Sequence, residues 1–181
     1  MAGTDSAPFV KDSLIFPDEI GSVVVYLDKE SLLARLTTNH RSEQKQAVVD
    51  RFFELTGQRA YYVTDAYVVA EVVSAFRSQR GAHEALDLYA DIKASDMLVQ
   101  HGSDPWDEGE LSTSPRGVMD AAAEFLAQYP KHDVSLQEAI LVLQAKRGDD
   151  CLFSFDGPLR SLGRACGVSV YPVTEDVYLG S

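Results

Sequence analysis

Four carboxylates stand where core elements begin, end or pack: Asp28, Glu71, Glu138 and Asp156. Asp28 closes the apolar run "SVVVYL", and Asp156 comes just past "DCLFSF". Glu71 lies in "AYVVAEVVSAF" with apolar neighbours on nearly every side, while Glu138 shares a helical stripe with Leu141, Val142 and Ala145. Acidic side chains are almost never fully buried unless paired, and a lone buried carboxylate is costly or takes up a proton. Four of them converging on one spot would repel one another and raise their proton affinities. A divalent cation resolves that conflict, and a hard ion such as Mg²⁺ or Mn²⁺ takes oxygen ligands.

Each acid also has an ordinary structural role. Ser135-Leu-Gln-Glu138 spells a capping box, in which hydroxyl and carboxylate each satisfy the other residue's amide, and an acid there complements the helix dipole. Asp28 and Asp156 can each cap the helix that follows. Glu71 can pair with an arginine such as Arg35 or face solvent through a gap. Any one acid is accounted for in this way; all four together are less easily explained so.

The elements that must position these residues follow from periodicity. "SVVVYL" (22–27) is a β-branched and aromatic run, the form of a strand buried on both faces. "DKESLLARLTTN" and "RSEQKQAVVDRFFELTG" read as helices, the second carrying Ala47, Val48, Phe52 and Leu55 on one face and stopping at Gly57. "RAYYV" is a second strand. "TDAYVVAEVVSAFRSQRG" is a helix with Thr64 as its expected cap and Gly81 as its stop. A further helix, a short strand at "MLVQ", the polar loop "SDPWDEGELSTSP", and a helix opened by Ser114-Pro115 come next. Then come the helix opened by Ser135, the strand "DCLFSF", a short helix stopped at Gly167 and a last strand "VSVYPV". Alternating apolar strands and amphipathic helices predict an α/β domain with a parallel sheet flanked by helices on both faces. In such open sheets ligands sit outside the carboxyl ends of the strands, where Asp28 and Asp156 fall.

The 181 residues suit one domain, here 22–181, behind an irregular arm over 1–21. No apolar run is long enough to span a bilayer, and the N-terminus lacks a basic region followed by an apolar core, so the expected location is the cytoplasm. Cys151 and Cys166 lack metal-ligand spacing and read as free thiols. The net charge of −12 argues against a nonspecific polyanion binder, since phosphate contacts need Lys and Arg. Acidic residues with only six Lys beside ten Arg resemble the surfaces of proteins from salt-loving organisms. Apolar residues on the helices around 41–57 and 64–81 predict a homodimer. No glycine-rich phosphate loop follows the first strand, which counts against a Rossmann-like nucleotide binder.

Three segments together resemble the PIN-domain nucleases, especially the VapC-like toxin branch: "VVVYLDKESLLARL", "YYVTDAYVVAEVVSAFRSQRG" and "DVSLQEAILVLQAKRGDDCLFSFDGPLRSLGRACGVSVYP". The resemblance runs from about Ser22 to Pro172. It implies a Mg²⁺- or Mn²⁺-dependent endoribonuclease with Asp28, Glu71, Glu138 and Asp156 as metal ligands and Ser154 orienting Asp156 or a water. It also implies an RNA substrate and an antitoxin partner. Arg77, Arg80 and Arg160 could receive RNA phosphates, each also being plain helix surface on the alternative reading. The chain departs from the family in having Lys29 and Glu30 where Thr and Ser usually follow the first Asp, and Glu138 where Asp is common. Lys29 could perturb the metal or contact phosphate, and it is the feature that points to a second reading: a PIN-like scaffold that no longer cuts.

Overall fold

A computed structural model describes residues 23–36, 43–57, 60–95, 98–100 and 115–172. The arm over 1–21, the acidic loop at 103–114 and the cap residue Ser114 lie outside the described residues. The elements run β1 (Val23–Leu27), α1 (Lys29–Leu36), α2 (Glu43–Thr56), β2 (Ala60–Asp65), α3 (Ala66–Arg80), α4 (Ala82–Ala94), β3 (Leu98–Gln100), α5 (Pro115–Gln128), α6 (Leu136–Gly148), β4 (Cys151–Phe153), α7 (Gly157–Ala165) and β5 (Ser169–Tyr171). The five strands form one sheet in the order β3-β2-β1-β4-β5, and every pairing is parallel. The chain winds outward from β1 through β2 to β3, then returns to the other side of β1 for β4 and β5. The single-domain α/β fold expected from the alternation is therefore what forms.

Period-two alternation divides the strand side chains between two cores. Val25 and Leu27 of β1, Cys151 and Phe153 of β4 and Tyr171 of β5 join Val48, Val49 and Phe52 of α2 on one face. Tyr26, Leu152 and Val170, the residues between them, join apolar residues of α3 to α7 on the other. This explains why β1 and β4 read as continuous apolar runs: neither face meets water. Helix α1 contributes to both, with Leu32 in one core and Ala34 in the other.

Local signals set most boundaries. Gly57 at φ 51° and Gly81 at φ 103° stop α2 and α3 in backbone conformations that suit glycine. Ser135 caps α6 in a complete capping box with Glu138. Asp65, rather than Thr64, caps α3; its carboxylate accepts from the Tyr67 amide at 2.7 Å. Thr64 is the penultimate residue of β2, and its hydroxyl donates to the Leu27 carbonyl at 3.1 Å, tying β2 to the end of β1. Helix α7 lies close on β5, because a Cβ added at Gly163 would meet Val170 Cγ2 at 2.8 Å.

The apolar residues of α2 and α3 that suggested a dimer surface are largely spent inside the chain. Val48, Val49 and Phe52 of α2, and Val68, Val69 and Val72 of α3, are buried. The large apolar side chains left exposed among the described residues are Tyr61, Leu86, Tyr89, Met119 and Leu136. Both cysteines are free. Burial beside Asp150 and Asp149 pushes the Cys151 thiol up to about 11, and burial also raises Cys166. At pH 8 only about one Cys151 in a thousand is then the reactive thiolate. Thiol labelling of the native protein at pH 8 should modify Cys151 about 100-fold more slowly than after unfolding in denaturant, as read by mass spectrometry.

Candidate functional site

The strand order reverses direction between β1 and β4. An open parallel sheet places its crevice at such a reversal, outside the carboxyl ends of the strands. Asp28 follows β1 there, and Ser154, Phe155 and Asp156 follow β4.

Asp28 is buried and is held on both oxygens. The Ser31 amide donates to Oδ1 at 2.7 Å, and the Ser154 hydroxyl donates to Oδ2. The Leu32 amide donates to the Asp28 carbonyl at 2.9 Å, so Asp28 also opens α1 in the manner of an N-cap. Burial dominates the electrostatics and pushes the Asp28 carboxyl up to about 6, against the opposing pull of the hydrogen bonds from Ser154 and Ser31. Ser154 is fully buried, and its Oγ accepts from the Asp156 amide at 3.0 Å while donating to Asp28. Asp156 caps α7 through the Leu159 amide at 2.7 Å. One hydroxyl thus couples two aspartates that are 128 positions apart along the chain (156 − 28). Ser31 adds a further tie, its hydroxyl donating to the Phe153 carbonyl at 3.1 Å.

A second group of charges lies beside the first, reached through the residue next to Asp28. The Lys29 ammonium pairs with Glu71 Oε1 at 2.6 Å, both side chains being nearly half exposed. The hydrogen bond to Glu71 holds the Lys29 pKa above its usual value, and the charges of Glu71, Glu138 and Glu30 add to it. Glu71 is therefore neither buried alone nor paired with Arg35; Arg35 pairs with Asp50 at 3.5 Å and lies over the Phe53 ring. Glu138 holds the Ser135 amide at 2.8 Å and its hydroxyl at 2.7 Å, both through Oε2. Its capping role is real, and it sits within electrostatic reach of Lys29 as well.

The arginines divide. Arg77 and Arg80 occupy the last turn of α3 and are exposed, as a phosphate contact needs. Arg160 does not suit that role. It is 6% exposed, and its guanidinium donates to the Ser154 carbonyl at 2.8 Å and to the Pro172 carbonyl. It clamps the turn after β4 to the chain after β5. The supporting roles of Ser31 and Arg160 are the ones that the sequence reading passed over. The i, i+3 spacing from Asp28 to Ser31 was a capping signal for the first; the second had none, because its acceptors are backbone carbonyls.

The donor chemistry suits a hard divalent ion. All four side chains are carboxylates, and Glu71, Glu138 and Asp156 each keep one oxygen outside the bonds above. The set is open in geometry. Among the described residues no three Asp, Glu, His or Cys side chains stand close enough to enclose one ion. Asp28 and Asp156 are joined through Ser154, whereas Glu71 is paired with Lys29 and Glu138 is bound to Ser135.

The five-stranded parallel sheet with helices on both faces superposes on VapC-like toxin structures, so the chain has the PIN-domain fold. Three of the solved structures that share it show the extent of the likeness. VapC20 of Mycobacterium tuberculosis, described as a sarcin-ricin-loop-cleaving toxin, is 14% identical and superposes with a TM-score of 0.58 over 80% of this chain and 95% of that one. VapBC2 of Rickettsia felis, bound to a DNA fragment from its promoter, is 10% identical with a TM-score of 0.57 over 81% and 96%. FitAcB of Neisseria gonorrhoeae is 14% identical with a TM-score of 0.52 over 82% and 97%. No protein-family model and no curated protein matches the sequence.

Proposed function

We propose that this chain is a Mg²⁺- or Mn²⁺-dependent endoribonuclease of the PIN type, acting as the toxin of a toxin–antitoxin pair in the cytoplasm. The observation that carries this reading is the Asp28–Ser154–Asp156 network at the β1/β4 reversal, in a fold shared with a toxin described as cutting the sarcin-ricin loop. A divalent ion held there would supply Lewis acidity and an activated water. On this reading Asp28 and Asp156 would hold it, and Glu71 and Glu138 would be its further ligands. Ser154 keeps the two aspartates in one orientation, and the amide of Ser31 fixes Asp28 from the α1 side. Arg77 and Arg80 lie about 9 and about 14 Å further along α3 than Glu71, at 1.5 Å per residue, and receive the phosphates flanking the scissile bond. With a net charge of −12, RNA is drawn in by such local cations and not by the molecule as a whole.

A cleavage assay on structured RNAs, with Mg²⁺, with Mn²⁺ and with EDTA, tests the reading. Cutting that needs the ion and disappears in Asp28→Asn supports it. A folded protein that cuts none of the RNAs with either ion supports the second reading, a PIN-like scaffold without catalysis, which the Lys29–Glu71 pair and the open ligand set favour.

Partners follow the same reading: an antitoxin protein and a second copy of this chain. Among the described residues no helix is long and apolar enough to cross a membrane. Since α2 and α3 bury most of their apolar side chains, Leu86 and Tyr89 of α4 and Met119 of α5 are candidates for self-association among the described residues. Light scattering at micromolar concentration should give a dimer mass that falls in Leu86→Asp; a monomer mass in both high and low salt would refute self-association.

A further inference from the structure

Resting on the nuclease reading, we infer that Lys29 is a built-in counter-cation of this site, and that a divalent ion enters by displacing its ammonium from Glu71. The position is specific. Lys29 is the first residue of α1, directly after the capping aspartate, so its backbone is fixed by the Asp28 cap and by the β1–α1 turn. From there its side chain reaches Glu71 on α3, 42 positions away, at 2.6 Å. Glu138 on α6 and Glu30 on α1 act on the same ammonium. Glu30 is itself engaged by Lys45 of α2, which leaves Glu71 as the acid that Lys29 pairs with and Glu138 as a further charge acting on it. These are the two expected ligands that the Asp28–Ser154–Asp156 network does not hold.

The consequence is competitive. Carboxylates brought near one another need positive charge nearby. With no ion bound, Lys29 supplies one charge and relieves part of the repulsion. With a divalent ion among the same acids, the ammonium becomes a like charge a few ångströms away, where the interaction is still substantial near a protein surface. The pair is nearly half exposed, so the lysine can swing into solvent without a change in the fold. Lys29 thereby sets the ion concentration at which the site fills.

Mn²⁺ binding by calorimetry, on wild type, Lys29→Met, Lys29→Arg and the double variant Lys29→Met with Glu71→Gln, tests this. Lys29→Met should bind Mn²⁺ about tenfold more tightly or better, by loss of the competing charge. Lys29→Arg should stay close to wild type. The double variant should lose the gain, because the ligand that Lys29 masked is gone. Melting in EDTA supplies a second reading: Lys29→Met should melt lower than wild type, with the difference shrinking when Glu71 is already replaced by glutamine. Equal Mn²⁺ affinity in wild type and Lys29→Met, or weaker binding in Lys29→Met, overturns the inference and leaves the metal-dependent reading standing. Absence of Mn²⁺ binding in both at millimolar ion overturns the metal-dependent reading and this inference with it.

Discussion

Asp28→Asn should raise the melting temperature of the metal-free protein at pH 8, leave it nearly unchanged at pH 4, and abolish cleavage. In the native state burial lifts the Asp28 carboxyl from 3.8 to about 6. A carboxyl whose native pKa is raised binds its proton more tightly when folded than when unfolded. Its favourable contribution is therefore present below 3.8 and is lost as pH rises through about 6. At about 1.4 kcal/mol per unit, the charged form costs the fold about 3 kcal/mol at pH 8. An amide of the same shape carries no such cost. It can accept from the Ser31 amide and donate toward Ser154 in place of the hydroxyl's own donation. For a chain of this length the gain amounts to about 6–12 °C. The informative quantity is the variant minus wild-type difference, measured in EDTA at both pH values. Equal differences at pH 4 and pH 8 would show that Asp28 is not held against its charge. Cleavage should fall to background, because an amide is a poor substitute for a carboxylate on a hard cation. A residue that costs stability when charged and is kept in the crevice of the sheet has the signature of a functional group.

Arg160→Ala should destabilise the protein by about 3–5 kcal/mol in denaturant unfolding, the sum of two lost charge-assisted hydrogen bonds and a cavity. Arg160 is 6% exposed, and its guanidinium spans the carbonyls of Ser154 and Pro172. Alanine leaves both carbonyls without that donor in a place water reaches poorly. Such a loss is a large fraction of the stability of a typical domain. A lysine at this position would keep the charge but not the fork that meets two acceptors, so Arg160→Lys should recover only part of it. Arg147, exposed at the end of α6, is the contrasting position, and Arg147→Ala should change stability by no more than about 0.5 kcal/mol. A change below about 1 kcal/mol in Arg160→Ala would return Arg160 to the surface role suggested by its charge alone. Because the clamp holds the carbonyl of Ser154, the variant should also loosen the Asp28–Ser154–Asp156 network and lower any cleavage activity.

Much of this protein is determined by signals within a few residues of one another. The apolar run before Asp28, the capping box at Ser135 and Glu138, and the glycines that stop α2 and α3 all act over one or two turns or one strand. Their outcome is read directly from the chain, with one slip: the cap of α3 passed from Thr64 to Asp65 because Thr64 was taken up by the sheet. The placement of Asp28 directly after β1 belongs to this legible part, whereas β4 ends at Phe153, short of the apolar run's end, so Asp156 follows it by three residues. What the sequence alone left open is which ends lie side by side. That depends on β4 pairing with β1 and not with β3, a contact across more than 120 residues. The same packing decided the charged side chains. Arg160 looked like Arg77 and Arg80 in the sequence, yet the close approach of α7 to β5 turned it inward, and the crossing of α1 near α3 gave Glu71 to Lys29 and not to Arg35. Charge tells a side chain only that it needs a partner. Which partner it meets is fixed by the docking of elements far apart in the chain, because hydrogen bonds and ion pairs act over a few ångströms and local periodicity does not specify distances between elements.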